Sequence, residues 1–141
     1  MEGGSAAGSA IVLDTNIVLD LLVFRDPATL NLRHALELGD LWWIATQAMR
    51  DELERVLDYP QIVKSLRHHG RDKAEVLSYW DRWVKPVEAA TKAPVTCKDP
   101  DDQKFIDLAV AQRCPLLSKD YAVLCMAKRL AGLGVAVRTN L

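Results

Sequence analysis

The sequence predicts an α/β fold, a three-layer α/β/α sandwich around a mostly parallel sheet of about five strands. Short apolar runs, such as residues 11–13 and 41–45, have no polar alternation, which is typical of strands buried on both faces of a parallel sheet. The segments between these runs carry apolar residues at helical spacing. Strand and helix therefore alternate along the chain.

Composition indicates an ordinary globular protein. The chain has 141 residues, half of them hydrophobic, and a formal net charge of -1. No apolar stretch approaches the ~18 residues of a membrane span, and the start lacks the regions of a signal peptide, so we expect a cytoplasmic protein without membrane contact. Residues 1–10 are mostly Gly, Ala and Ser, which predicts a flexible lead and one domain over residues 11–141.

The first half of the chain predicts two strands and five helices. The strand at residues 11–13 leads into a helix that places Ile17, Val18 and Leu21 on one face. Pro27 starts the second helix and Gly39 ends it. After the strand at residues 41–45, capping residues and helical spacing predict three more helices, at residues 46–58, 60–69 and 72–83.

The second half predicts three strands and two helices. Residues 84–87 are a weak strand, because Pro86 restricts it to a sheet edge. A polar loop ending in four residues rich in Asp, 99–102, introduces an apolar helix. The remaining elements are strands at residues 115–117 and 135–137, with a helix at residues 121–130 between them.

Four acids, Asp14, Glu52, Asp102 and Asp120, should meet at one edge of this sheet. Right-handed crossovers place the carboxyl ends of parallel strands, and the starts of the following helices, on the same edge. Asp14 ends the first strand, Asp120 follows the fourth, and Asp102 begins a helix. Glu52 lies on the apolar face of its own helix, where a carboxylate needs a partner.

Each acid also has an ordinary structural alternative. Asp120 suits a helix N-cap, Asp102 suits a helix dipole, and Glu52 could extend past its apolar neighbours to solvent. Asp14 is harder to explain in this way, because a charge that ends a buried strand is costly unless something binds it.

Gathered carboxylates repel and raise one another's pKa values unless a cation lies among them. Oxygen ligands alone suit Mg²⁺ or Mn²⁺ rather than zinc, and His34, His68 and His69 show no ligand spacing to the acids. A carboxylate-held Mg²⁺ indicates phosphate chemistry. The sequence therefore predicts a site for Mg²⁺ or Mn²⁺.

Four motifs in this order resemble the PIN-domain nucleases, in particular the toxin-like (VapC-type) PIN proteins of bacterial toxin-antitoxin systems. They are residues 12–16 (VLDTN), 51–57 (DELERVL), 99–105 (DPDDQKF) and 117–120 (LSKD). The resemblance spans roughly residues 11–137. It implies a metal-dependent endoribonuclease whose first and fourth strands are neighbours.

By this resemblance Asp14, Glu52, Asp102 and Asp120 are the catalytic, metal-binding acids, and Asn16 and Ser118 orient carboxylates or water. Asp101 is the alternative to Asp102. The family commonly has Gly or Arg where Lys119 precedes the last acid. Three lysines near the predicted site are candidate RNA contacts: Lys98, Lys104 and Lys119.

The resemblance also implies partners. RNA is the expected substrate, although single-stranded DNA presents the same phosphates. A cognate antitoxin and a homodimer are expected from the family. The alternative is a PIN-like module that binds RNA or protein with little or no catalytic activity.

Overall fold

The computed structural model describes residues 8–141 and contains a five-stranded, all-parallel sheet in the order β3-β2-β1-β4-β5. β1 pairs with β2 on one side and with β4 on the other, so the first and fourth strands are neighbours, as predicted. The strands are β1 (Ser9–Leu13), β2 (Leu41–Ala45), β3 (Lys85–Pro86), β4 (Leu116–Leu117) and β5 (Val137–Arg138). The predicted α/β fold class is confirmed.

Helices cover both faces of the sheet. The chain moves outward in one direction from β1 to β3 and in the other from β4 to β5, so right-handed crossovers put α1 to α5 on one face and α6 to α8 on the other. These helices are α1 (Thr15–Leu19), α2 (Leu30–Leu38), α3 (Gln47–Val56), α4 (Pro60–His68), α5 (Lys73–Trp83), α6 (Gln103–Gln112), α7 (Tyr121–Leu124) and α8 (Ala127–Ala131). Over residues 8–141, none is long and apolar enough to cross a membrane.

The ends of several elements follow from local chemistry. A π-helical turn, Asp20–Phe24, extends α1, and a 3-10 turn, Pro27–Thr29, precedes α2. Gly39 ends α2 in the left-handed conformation, with φ of 78°, which glycine adopts without steric cost. The Asp72 carboxylate caps α5 by accepting from the Glu75 N–H.

Differences from the expectation occur at β1, in the last helix and at the last strand. β1 begins at Ser9, within the predicted lead of residues 1–10, because Ser9 and Ala10 pair with β2. Residues 1–7 of the predicted lead lie outside the described part of the chain. The last helix is divided into α7 and α8, because the Met126 N–H bonds three residues back to the Val123 carbonyl and tightens the turn. The last strand lies two residues later, at Val137–Arg138, where it pairs with β4.

Aromatic and aliphatic side chains fill the space between sheet and helices. Ile11 and Val12 of β1 are buried on opposite faces, which accounts for the unbroken apolar run. Trp43 of β2 meets Trp80 of α5 edge-on, with ring centroids 4.9 Å apart. On the other face α6 packs on β1 and β4, which holds its first turn at the carboxyl edge of the sheet.

Replacing Trp80 with Ala should lower the free energy of unfolding by about 3–5 kcal/mol, because it leaves a cavity against Trp43. Urea unfolding followed by circular dichroism measures the change. Leu38→Ala is the control: this side chain is 75% exposed, so the loss should stay within about 0.5 kcal/mol. Equal losses in the two variants would contradict the packing described for the tryptophan pair.

Candidate metal centre

Asp14 lies where two neighbouring strands end. It follows β1 directly, and its N–H donates to the carbonyl of Leu117 at the end of β4. Its own carbonyl accepts from Ile17 and Val18, which starts α1. The side chain is buried at this junction, which is the point where the strand order reverses and where parallel sheets bind ligands.

Ser118 connects Asp14 to Asp120. The fully buried Ser118 hydroxyl donates to Asp14 Oδ2 over 2.6 Å and accepts from the Asp120 N–H over 3.0 Å. Asn16 Oδ1 accepts from the Lys119 N–H over 3.3 Å. Both residues predicted to orient the site therefore contact the segment around Asp14 and Asp120.

Three of the four predicted acids come together. Carboxylate oxygens of Asp14, Asp102 and Asp120 all lie within 4.8 Å of one another. Asp102 closes the 3-10 turn Pro100–Asp102 with its side chain buried, whereas the adjacent Asp101 is exposed. We call these three residues the acidic triad. Asp120 also caps α7 by accepting from the Ala122 N–H, so it is both a helix cap and a member of the triad.

One oxygen of the triad lacks a partner. Asp102 Oδ2 is buried and has no hydrogen-bond partner among the described residues. A buried acceptor without a partner costs free energy, so it is seldom retained without a ligand or ion. Oxygen donors that converge in this way suit a hard divalent cation such as Mg²⁺ or Mn²⁺. The donor set therefore fits the metal that the sequence predicts.

Burial and mutual repulsion perturb two of these carboxyls. Burial, together with the charges of Asp120 and Glu52, raises the pKa of Asp14 from 3.8 to about 6, against the opposing effect of the Ser118 hydrogen bond. Burial, followed by the charges of Asp14 and Asp120, raises the pKa of Asp102 from 3.8 to about 8. The negative charge of the triad is thus not balanced by a cation within residues 8–141.

Glu52 lies beside the triad but is not part of it. Its Oε2 accepts from Thr15 Oγ1 over 2.5 Å, and its Oε1 accepts from the Lys104 ammonium. The ammonium also donates to the Asp101 carbonyl over 2.6 Å. Both carboxylate oxygens of Glu52 are therefore engaged by groups of the chain itself.

Two residues of this region were not expected from the sequence. The Thr15 hydroxyl donates to Glu52. In the sequence, however, a Thr that follows a strand-ending Asp indicates only the start of a helix. Asp20 is buried, and its Oδ2 lies 2.5 Å from Lys119 Nζ. The sequence does contain an indication that Asp20 needs a partner, because Asp20 is an acid within the apolar part of the first helix.

The three candidate RNA contacts differ in their surroundings. Lys104 pairs with Glu52 and Lys119 pairs with Asp20. Lys98 is exposed and forms no ion pair within residues 8–141. None of these contacts tests RNA binding, which stays a prediction for all three lysines.

A parallel α/β sheet with three converging carboxylates at its switch point, those of Asp14 and Asp102 buried and that of Asp120 half-buried, defines a class of protein that could bind a divalent metal at that edge. Within that class, the family model for the PIN domain matches residues 10–122 of this chain. The chain belongs to the PIN-domain family.

No curated protein sequence matches the chain. Among solved structures, a chain of VapBC2 from Rickettsia felis, bound to a DNA fragment from its promoter, is similar with a TM-score of 0.58 and 12% identity; the match covers 91% of this chain and 98% of that chain. At that identity the likeness concerns the fold, and it agrees with the parallel sheet described above.

Without metal, the protein should lose stability as pH rises from about 4 to about 8. The pKa values of Asp14 and Asp102, about 6 and about 8, exceed the unfolded value, so the folded state keeps protons that the unfolded state has released. Asp102→Asn cannot ionise and should raise the free energy of unfolding near pH 8 by about 1–3 kcal/mol. Urea unfolding in EDTA at both ends of this pH range measures it.

The exposed neighbour provides the control for this titration. Asp101→Asn removes a charge from the same turn without entering the triad, so its pH dependence should match that of the wild type. If Asp102→Asn lost stability with pH as steeply as the wild type does, the repulsion described for the triad would be wrong.

Proposed function

We propose that this chain is a Mg²⁺- or Mn²⁺-dependent phosphodiester hydrolase that cleaves RNA. The observation that carries the proposal is the acidic triad, with its buried Asp102 Oδ2 that has no hydrogen-bond partner within residues 8–141. Membership of the PIN-domain family supports it, because the members are typically nucleases. The triad supplies the oxygen ligands, and it lies at the carboxyl edge of the sheet, where parallel α/β sheets bind their ligands.

In this proposal each residue of the site has a separate role. Asp14, Asp102 and Asp120 would hold the cation, and a bound cation would supply positive charge against the phosphodiester and ease deprotonation of the attacking water. Ser118 keeps the Asp14 carboxylate in place through its 2.6 Å hydrogen bond. Glu52 stands next to the triad, where it holds Lys104 and adds negative charge that acts on Asp14.

Asp14→Asn should reduce metal-dependent cleavage by at least about 100-fold, because it removes a carboxylate from the centre of the triad. The assay is cleavage of a mixed RNA pool with Mn²⁺ or Mg²⁺, followed by sequencing of the new RNA ends. EDTA should stop cleavage by the wild type, and added Mn²⁺ should restore it. Asp101→Asn, whose exposed side chain lies outside the triad, serves as the matched control.

Two results would contradict the proposal. Undiminished cleavage by purified, folded Asp14→Asn would show that the nuclease activity has another source. Cleavage that persists in EDTA would remove the metal from the reaction.

A second candidate is a PIN-like module that binds RNA or protein with little catalysis. The pairing of Glu52 with Lys104 favours this alternative, because it leaves three carboxylates for a metal instead of four. Mn²⁺ binding and RNA binding without new RNA ends would support this alternative and oppose the hydrolase.

We further propose that the chain is the toxin of a toxin-antitoxin pair, that it forms a homodimer and that a small antitoxin blocks the triad. The fold it shares with a chain of VapBC2 supports this role. Expression should slow bacterial growth, and co-expression of a small DNA-binding protein encoded beside it should restore growth. The Asp14→Asn variant, which lacks the proposed activity, should not slow growth. Equal growth inhibition by that variant would contradict the role.

A further inference from the structure

Lys104 brings a positive charge of the chain itself to the edge of the acidic triad. The residue lies two positions after Asp102 and one helical turn after Asp101, whose carbonyl accepts from its ammonium. The same ammonium pairs with Glu52, 52 residues away on α3. Its side chain is 26% exposed and that of Glu52 is 17% exposed, so the pair is partly withdrawn from water. Such a pair is screened less than one on the surface.

The pair occupies the carboxylate that a second divalent ion at this edge would need. Sites with two ions place them about 3.5–4 Å apart and need carboxylates to bridge or flank both. Beyond the triad, Glu52 is the acid whose charge reaches Asp14. Its two oxygens are already engaged, one by the Thr15 hydroxyl and one by the Lys104 ammonium. A second ion would have to displace Lys104 from Glu52 and then lie beside its charge.

We propose that the Lys104 ammonium takes the place of a second metal ion, so that the chain binds a single divalent cation in its acidic triad. The inference rests on the proposed function and deepens it. The fixed ammonium neutralises Glu52, and the triad, which no cation of the chain neutralises within residues 8–141, keeps the divalent ion. Lys104 is in this sense a positioning residue that sets metal stoichiometry.

Metal binding itself provides the test, without any RNA. Apo protein is titrated with Mn²⁺ by calorimetry, and electron paramagnetic resonance then distinguishes isolated ions from spin-coupled pairs. The wild type should bind one Mn²⁺ per chain with the spectrum of an isolated ion. Lys104→Met keeps the length of the side chain but removes its charge and frees Glu52, so it should bind two ions and give a coupled pair.

Matched variants separate the effect of the Lys104 charge from the effect of its side-chain shape. Lys104→Arg keeps the charge and should retain one ion, and so should Lys98→Met, which removes an exposed lysine that has no ion pair within residues 8–141. Glu52→Gln should also bind one ion, because Glu52 is not a ligand in this scheme. Glu52→Gln gives an answer even if Lys104→Met fails to fold.

The outcomes are distinct. Two ions on the wild type, one ion on folded Lys104→Met, or loss of the tight ion in Glu52→Gln would each overturn the role given to Lys104. Loss of all Mn²⁺ binding by the wild type would instead overturn the proposed function, and this inference with it. Binding of one ion without any RNA cleavage would leave the assignment of Lys104 supported while the hydrolase failed.

Discussion

The structure is organised around the burial of like charges at one edge of a parallel sheet. Asp14, Asp102 and Asp120 converge within 4.8 Å, and Asp14 and Asp102 are largely withdrawn from water. Separation or solvent would relieve their repulsion, but Ser118 holds Asp14 and Asp120 together and burial keeps water from Asp14 and Asp102. The energetic cost is therefore built into the fold, and a divalent cation bound among the three carboxylates would reduce it.

The sheet order imposes this convergence. Because β4 returns to lie beside β1, the segment after each strand reaches the same point, and Ser118, which lies 104 residues after Asp14 in the sequence, joins Asp14 to Asp120. α6 packs on β1 and β4 and holds at this edge the 3-10 turn that precedes it and ends in Asp102. The three acids thus come from three separate connections of the chain.

Most of the fold could be predicted from local patterns, because buried strands and capped helices have a sequence signature. Leu41–Ala45 has the bounds expected of it, and Gly39 ends α2 as its φ freedom predicts. The division at Met126 could not be predicted, since the apolar spacing continues through it. Tertiary packing, rather than local propensity, turns the chain there.

Local sequence patterns also predict only part of the site. The acids could be placed on one edge because that edge follows from strand direction and connection handedness alone. Their partners could not, because the Lys104 to Glu52 contact depends on the distance between two helices on opposite faces of the sheet. Glu52 was rightly identified as an acid that needs a partner, yet the sequence offered no way to choose between a metal ion and a lysine.

The distribution of positive charge around the edge is selective. Lys119 neutralises Asp20, and Lys104 neutralises Glu52, so each of these two acids is balanced by a monovalent cation of the chain. The three acids of the triad have converging oxygens, and within residues 8–141 none of them pairs with a lysine or arginine and Asp102 Oδ2 has no hydrogen-bond partner. Leaving buried charges unpaired is the costlier arrangement. The acids left without a cation of the chain are thus those whose geometry could surround one small ion, and this pattern favours a binding centre over structural polarity.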